Sequence, residues 1–372
     1  MRVALLANIK PKENVTNWSD QFQDDTFAEW DSIETVQAVC DALNSHPDVD
    51  CEIVEAVPEI ALPRLMVRKY DIVFNIAEGM RGTSREAQFP AVMEMLGIPY
   101  TGSGPLTLAT ALDKARTKEV LMHHGIPVAK FTTSQDTQAT LAKLLPEAEF
   151  PVVVKPLSEG SSKGVKNSSF VNNDAELRAE IERISTDYNQ PAIIEEFLPG
   201  REFTVAVLGN GINAQVLPIV EIKLSELPKE ANGIYSYEAK WIYDVRDNPL
   251  DIFSCPADLI PELQKEIAET VLRTFNVLDC KDWSRIDVRL DRNGQPNIIE
   301  VNPLPGILPK IEDNSCFPKA ARTAGMNYNE TMLAVLRAGC ERYGLKLTAN
   351  SLQPTVNDKE PKTTSYQLST TS

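Results

Sequence analysis

The sequence predicts an α/β protein of three domains, and three observations point to it. Short apolar runs alternate with helical periodicity over the first hundred residues. A new block of strands starts at Phe150-Pro151-Val152-Val153-Val154-Lys155, and the segment from Pro191 to about Tyr343 mixes strands, two helices and a hairpin. Alternation of the first kind builds a parallel sheet covered by helices. The expected organisation is an N-terminal parallel α/β domain over 1–105, a small central α+β domain over 106–190 and a C-terminal α+β domain with an antiparallel sheet over 191–346. A tail over 347–372 ends in a Ser/Thr-rich stretch that buries too little surface to order itself.

Val3 to Ile9 reads as the first strand. Ile33, Val36, Val39, Cys40 and Leu43 then share one helical face behind Asp31, an N-cap candidate with Glu34 three residues on. Cys51 to Val57 and Asp71 to Ile76 are the next strands, and a helix of uncertain start, because of Pro90, stops at Gly97. Helical pattern runs from Pro105 through Asp113, Lys114 and Val120 to Gly125, and again over Pro261 to Phe275 and Tyr328 to Arg342. Asn293-Gly294 between two apolar-alternating runs marks a hairpin. No internal repeat is present in the sequence.

Of 372 residues, 37 are Lys or Arg and 53 are Asp or Glu, a formal charge of −16. That balance opposes a general nucleic-acid or anionic-membrane binder, since tracking phosphates requires clustered cations. Cys40, Cys51, Cys255, Cys280, Cys316 and Cys340 are scattered without a C-x-x-C pair, which fits reduced thiols in a cytoplasm better than a disulfide framework or zinc site. The N-terminus reads as a strand, not a signal peptide, and no apolar run approaches the ~18 residues that span a bilayer.

Lys155-Pro156-Leu157-Ser158-Glu159-Gly160-Ser161-Ser162-Lys163-Gly164-Val165 places a lysine at a strand end before a loop of small residues. Such a loop presents a cation and several N–H groups to a phosphate; it is equally readable as a polar hairpin turn. The Walker order is absent. In the hairpin, Glu300 and Asn302 share a strand face, and a two- or four-residue loop brings Arg285 and Asp287 onto it. Two carboxylates and an amide suit Mg²⁺ that bridges phosphates; an exposed salt-bridged face is the alternative. Ile286, Val288, Ile299 and Val301 are then left to pack the other face. Glu195-Glu196-Phe197-Leu198, followed by Glu202, could meet an adenine edge and a ribose hydroxyl, or form a hairpin with solvated acids.

Seven separated blocks occur in order across residues 70 to 340: Gly97 to Gly104, Asp113-Lys114, Lys155 to Val165, Glu195 to Val207, Tyr237 to Lys240, Arg285-Ile286-Asp287 and Glu300 to Gly306. In these blocks the chain resembles the D-alanine:D-alanine ligases of the ATP-grasp superfamily. The resemblance implies three α/β domains, ATP held between the central and C-terminal ones, and two Mg²⁺ ions, replaceable by Mn²⁺. Lys114, Lys155 and Lys240 resemble phosphate-contacting lysines; Glu195, Glu196, Phe197, Leu198 and Glu202 resemble the adenine and ribose binders. Asp287, Glu300 and Asn302 resemble the metal ligands. Ser161 lies in the loop over the site, and Arg285 matches the arginine that stabilises the transferring phosphoryl group. The implied reaction makes an acyl phosphate from a carboxylate and ATP, then an amide by attack of an amine.

Departures fall on the substrate side. The family's N-terminal G-G-x-S-x-E signature, whose Glu belongs to the first substrate's subsite, is replaced by Asn8-Ile9-Lys10-Pro11-Lys12-Glu13-Asn14-Val15. Glu78 stands at the family's loop histidine, Arg81 and Arg85 at small or acidic positions, and Trp241 at a tyrosine. After Gly306 a Met-Thr run leading to a carboxylate-holding Ser gives way to Ile307-Leu308-Pro309-Lys310-Ile311. Lys310 or Arg85 could therefore hold a carboxylate and Glu78 an amine, each being equally readable as a solvated charge. The expected protein is a cytoplasmic ligase of small amino-acid substrates, with homodimers frequent in the resembled family and cell-wall peptidoglycan synthesis its usual setting. The rivals are a dipeptide ligase of a specialised pathway with other substrates and a non-catalytic nucleotide-binding module. His123-His124, adjacent at a helix end, and His46, in a loop without an evident partner, are set aside as metal ligands, and no G-x-S-x-G elbow is present.

Overall fold

The computed structural model describes residues 1–11, 25, 27–67, 69–228, 232–239 and 252–347. Lys240, Trp241, the stretch Lys12 to Val15 and the tail from 348 onward lie outside the described residues.

Arg2–Ala7 is apolar on both faces because it is the middle strand of a parallel sheet, between Asp50–Glu55 and Ile72–Ile76. The helix Ile33–Asn44 forms as the periodicity predicts, but its cap is Ser32, whose hydroxyl accepts from the Thr35 amide at 3.1 Å. Asp31 is diverted: its backbone bridges to the end of the first strand through Asn8 and Lys10. Gly97 ends the helix Gln88–Leu96 in the left-handed conformation at φ 66°. Pro90 sits in that helix's first turn, where its missing N–H removes no intrahelical bond. The run from Pro105 is two helices, Pro105–Leu112 and Lys114–His123. Asp113 leaves helical geometry between them and its carboxylate caps the second, accepting from the Arg116 amide at 2.9 Å.

A four-stranded antiparallel sheet follows, in the order Phe131–Ser134, Ala192–Glu196, Val152–Pro156, Phe170–Val171, with the helix Asp174–Tyr188 over one face. A boundary at 190/191 would cut this sheet, because Ala192–Glu196 is one of its inner strands. The reason is local: the apolar strand pairs on both edges, and the chain crosses to the next sheet only beyond Glu196. That third, antiparallel sheet runs Phe253–Ser254, Val220–Ile222, Glu202–Leu208, Trp283–Leu290, Pro296–Asn302, with Gln215–Val216 paired to Glu202–Leu208.

The predicted hairpin is present, with Arg285 opposite Asn302 and Asp287 opposite Glu300. The route to that register differs from the expected one. Five residues, 291–295, separate the strands, and a bulge between Asp287 and Val288 restores the offset. Ile298, not Ile299, therefore enters the core at 1% exposure, and Ile299 turns to the cavity described below.

The first and third sheets share one core. Trp283, fully buried, meets Phe74 of the first sheet and Phe317 of the helix Cys316–Thr323 edge-on, at 5.7 and 5.5 Å. The last helix, Tyr328–Arg342, packs on Ile33–Asn44. Buried Asp282 accepts from the Gly102 amide at 2.8 Å and from Arg342 at 2.9 Å, tying the Gly102 turn to the third sheet. At the start of the last helix Asn327 and Glu330 cap each other's backbone. Asn327→Ala should lower unfolding free energy by about 1 kcal/mol, measured by urea titration.

His46 has a partner after all, accepting from the Asp48 amide at 3.2 Å, and His123 and His124 cross edge-on at a helix end. All six cysteines are free thiols. Among the described residues no helix is long and apolar enough to cross a membrane.

Candidate active site

A cavity of about 530 Å³ collects most of the residues singled out in the sequence. Lys114, Lys155 and Ser161 line it, as do Glu195 to Leu198 and Glu202; so do Arg285, Asp287, Glu300 and Gly306. A smaller chamber of about 40 Å³ takes in Asn302 and Glu78 and shares Lys114, Ser161 and Glu300 with the larger one. The strand–loop Val152–Val165, the strand Ala192–Glu196 and the hairpin therefore deliver their polar ends to one place.

The lysines are held by carboxylates. Glu195, expected as a nucleotide ligand, lines the cavity and sits between Lys155 and Lys118, at 2.5 and 3.0 Å, at 4% exposure. Strand alternation turns it into this network, while its neighbour Glu196 is only partly buried. Burial alone would raise the Glu195 carboxyl, yet Lys118 and Lys155 pull it down to about 2. Lys114 pairs with Glu300 at 2.7 Å and also donates to the Glu159 carbonyl. Burial would raise Glu300 as well, and Lys114, Lys155 and Arg285 hold it below its ordinary range.

On the hairpin face Arg285 donates twice to Asp287, at 3.0 and 3.1 Å, and the Asn302 amide donates to Asp287 at 3.2 Å. Two facing carboxylates and an adjacent amide are hard oxygen donors, the set Mg²⁺ uses when phosphates complete its shell. Among the described residues no three His, Cys, Asp or Glu side chains are grouped to hold a metal without such help. The residues thus fit Mg²⁺ bound together with a nucleotide.

At the opposite wall Phe197 lies edge-on to Phe170 at 4.9 Å and beneath the Arg289 guanidinium at 4.7 Å. Arg289 also pairs with Glu202 at 3.1 Å. An aromatic face, a cation and the partly buried Glu196 make a slot for a flat, polar-edged group.

The small-residue loop is shaped by backbone rarely adopted outside glycine: Ser161 and Ser162 have φ of 52° and 59°. Carboxylates from the N-terminal segment secure it. Glu29 accepts from the Gly160 amide at 2.7 Å, and Asp25 accepts from the Gly164 amide at 3.0 Å and from the Tyr188 hydroxyl. Gly164 is obligatory here, since a Cβ would come within 2.4 Å of Pro156.

Two expected carboxylate holders are not placed for that role. Arg85 is saturated by both oxygens of Glu29, at 2.7 and 2.8 Å, and by the Ser158 carbonyl at 2.9 Å. Lys310 is exposed and lines neither cavity. Glu78 does reach the small chamber, beside Glu86.

Lys118, Arg289, Glu29, Glu86 and Ser315 escaped the sequence reading. Lys118 follows Lys114 by one helical turn and Arg289 shares a strand face with Asp287, so both had a spacing signal. Ser315 lies beyond a longer loop after Gly306: it lines the large cavity and is the N-cap residue of Cys316–Thr323, its hydroxyl donating to the Gly306 carbonyl at 2.9 Å. Glu29 and Glu86 had no local signal.

Comparison with known proteins identifies the family. The model of the family described as D-ala D-ala ligase C-terminus matches residues 120–337. D-alanine–D-alanine ligases of Haemophilus influenzae and Bordetella petrii are 35% and 33% identical, over 82% and 76% of this chain and 95% and 80% of their own. An uncharacterized Sinorhizobium fredii protein, y4sG, is 33% identical over 92% of this chain and 98% of its own. The solved D-alanine–D-alanine ligase of Bacillus anthracis complexed with ATP has the same fold, with a TM-score of 0.68 at 20% identity, over 92% of this chain and 99% of that one. With its ATP-grasp architecture and these relatives, the chain belongs to the D-alanine–D-alanine ligase family of ATP-dependent ligases.

Proposed function

We propose that the protein activates an amino-acid carboxylate with ATP and joins it to an amine. The observation that carries this reading is the convergence of Lys114, Lys155, Arg285, Asp287 and Glu300 on one cavity. Phosphoryl transfer is mostly positioning and charge neutralisation, so these are the parts it needs. Lys114 and Lys155 orient the nucleotide phosphates, and Glu300 and Glu195 hold those lysines in place. Phe197, Leu198, Glu196 and Glu202 receive adenine and ribose. Asp287, Glu300 and Asn302 would hold Mg²⁺, which when bound neutralises phosphate charge. Arg285 stabilises the transferring phosphoryl group.

A carboxylate oxygen bonds to the γ-phosphorus and ADP leaves. The amine nitrogen then attacks the acyl carbon, and the phosphate departs with the amine's proton. Ser161 and its loop close over these steps and exclude water. D-Alanine is the default at both subsites, as the relatives' names support. Free thiols support a cytoplasmic setting; a homodimer belongs to the same proposal and is read by sedimentation equilibrium.

The test is ADP and phosphate release with ATP and Mg²⁺ against D- and L-amino acids, singly and in pairs, with dipeptides identified by mass spectrometry. Amino-acid-dependent ADP release with a dipeptide product is expected. Nucleotide binding without release for any pair would overturn the reading.

A further inference from the structure

One wall of the large cavity is a patch of the third sheet, where strand register fixes which side chains meet. Glu202 and Thr204 share a face of their strand; across the ladder Glu202 stands opposite Arg289 and Thr204 opposite Asp287. All four line the cavity. Arg289 pairs with Glu202 at 3.1 Å, and Asp287 is held by Arg285 and Asn302. Thr204 differs from these neighbours. It is 2% exposed, and its hydroxyl is buried without a hydrogen-bond partner. On the other flank its register partner is Val220, which offers no polar side chain.

A buried hydroxyl without a partner gives up its bond to water and gains nothing in return. Directly opposite is the Asp287 side chain, and the Cβ atoms of such a cross-strand pair are ~4.5–5.5 Å apart, within reach of a hydroxyl-to-carboxylate bond. In this structure Arg285 occupies both Asp287 oxygens, at 3.1 and 3.0 Å. The proposed reaction calls Arg285 to the transferring phosphoryl group, so Asp287 loses two hydrogen bonds just when it has to present an oxygen to Mg²⁺. A carboxylate that ligates a metal is itself oriented by hydrogen bonds. The Asn302 amide supplies one. A second unpartnered donor of this patch, Nε of Arg289, belongs to a guanidinium already fixed by Glu202, the Gly233 carbonyl and the Phe197 ring. The hydroxyl of Thr204 has no such ties.

Resting on the ligase reading, we propose that Thr204 is a positioning residue for the metal site: its hydroxyl donates to the Asp287 carboxylate once Arg285 has turned to the phosphoryl group, and holds that carboxylate in the orientation that ligates Mg²⁺. Thr204 acts through Asp287 and touches neither substrate nor nucleotide.

Calorimetric titration of the full chain with a non-hydrolysable ATP analogue, with Mg²⁺ and with EDTA, tests this without turnover. Thr204→Val removes the hydroxyl and keeps the shape; Thr204→Ser keeps the hydroxyl. In EDTA all three proteins should bind the analogue equally. The gain in affinity on adding Mg²⁺ should be about tenfold smaller in Thr204→Val than in the parent, and parental in Thr204→Ser. The melting temperature of Thr204→Val without ligand should equal or exceed the parent's, because an unpartnered buried hydroxyl is gone. A parental Mg²⁺ gain in Thr204→Val would overturn the proposal, as would a lowered melting temperature in that variant or a lost gain in Thr204→Ser. Asp287→Asn separates this failure from that of the ligase reading. A gain lost in Asp287→Asn but kept in Thr204→Val removes only the role of Thr204, whereas no Mg²⁺ gain in the parent removes the metal assignment and this inference with it.

Discussion

Glu300→Gln should lower ligase turnover about a hundred- to a thousandfold, the scale on which a preorganised electrostatic group acts. Glutamine keeps the shape and removes the charge. Glu300 faces Asp287 across the hairpin and pairs with Lys114 at 2.7 Å, so one substitution weakens the proposed oxygen site for Mg²⁺ and frees the lysine proposed to bind phosphate. Lys114→Met should act chiefly on the KM for ATP, with a smaller loss of kcat. Because the two side chains touch, the double variant should lose less than the product of the single losses. Steady-state kcat and KM for the four proteins provide the check. Parental turnover in the Glu300 variant would remove the metal and phosphate roles assigned to it.

Glu195→Gln should destabilise the fold by about 3–5 kcal/mol, the cost of leaving buried charges without their partner. Lys118 is 2% exposed, and burial holds its amine below the ordinary lysine range even with Glu195 beside it. The substitution strands both Lys118 and Lys155. The same network sets an acid limit. In the folded state Glu195 titrates at about 2 against an ordinary value of 4.5, so its contribution is full above that ordinary value and lost as pH falls from about 4.5 to 2. Across that window stability should drop by up to about 1.4 kcal/mol per pH unit from this group. Urea midpoints between pH 2 and 5 should show that slope in the parent and a flatter one in Glu195→Gln. Parallel slopes would show that Glu195 does not set the limit.

The grouping of the residues proposed to meet the nucleotide was legible in the sequence because they lie in short local patterns. Lys155 ends an apolar strand, and Arg285, Asp287, Glu300 and Asn302 obey strand alternation, which a bulge preserved although the turn was longer than expected. The lysine partners of Glu195 were not legible, since alternation tells that a side chain turns inward and not what it meets there. The substrate side was harder. Glu29 reaches Gly160 from 131 residues away and Glu86 enters the chamber from the first domain; such contacts arise from docking of domains, which no local periodicity encodes. The shift of the cap from Asp31 to Ser32 has a similar origin, because a bridge to the first strand claims Asp31.

The aromatic junction at Trp283 has a mechanical consequence. With the first and third sheets welded around it, they behave as one jaw, and the four-stranded sheet is left as the other. The segment from Ser158 to Gly164 on the second jaw is fastened to the first by Glu29 and Asp25 at the Gly160 and Gly164 amides and by Arg85 at the Ser158 carbonyl, so any movement between the jaws has these N-terminal contacts to release.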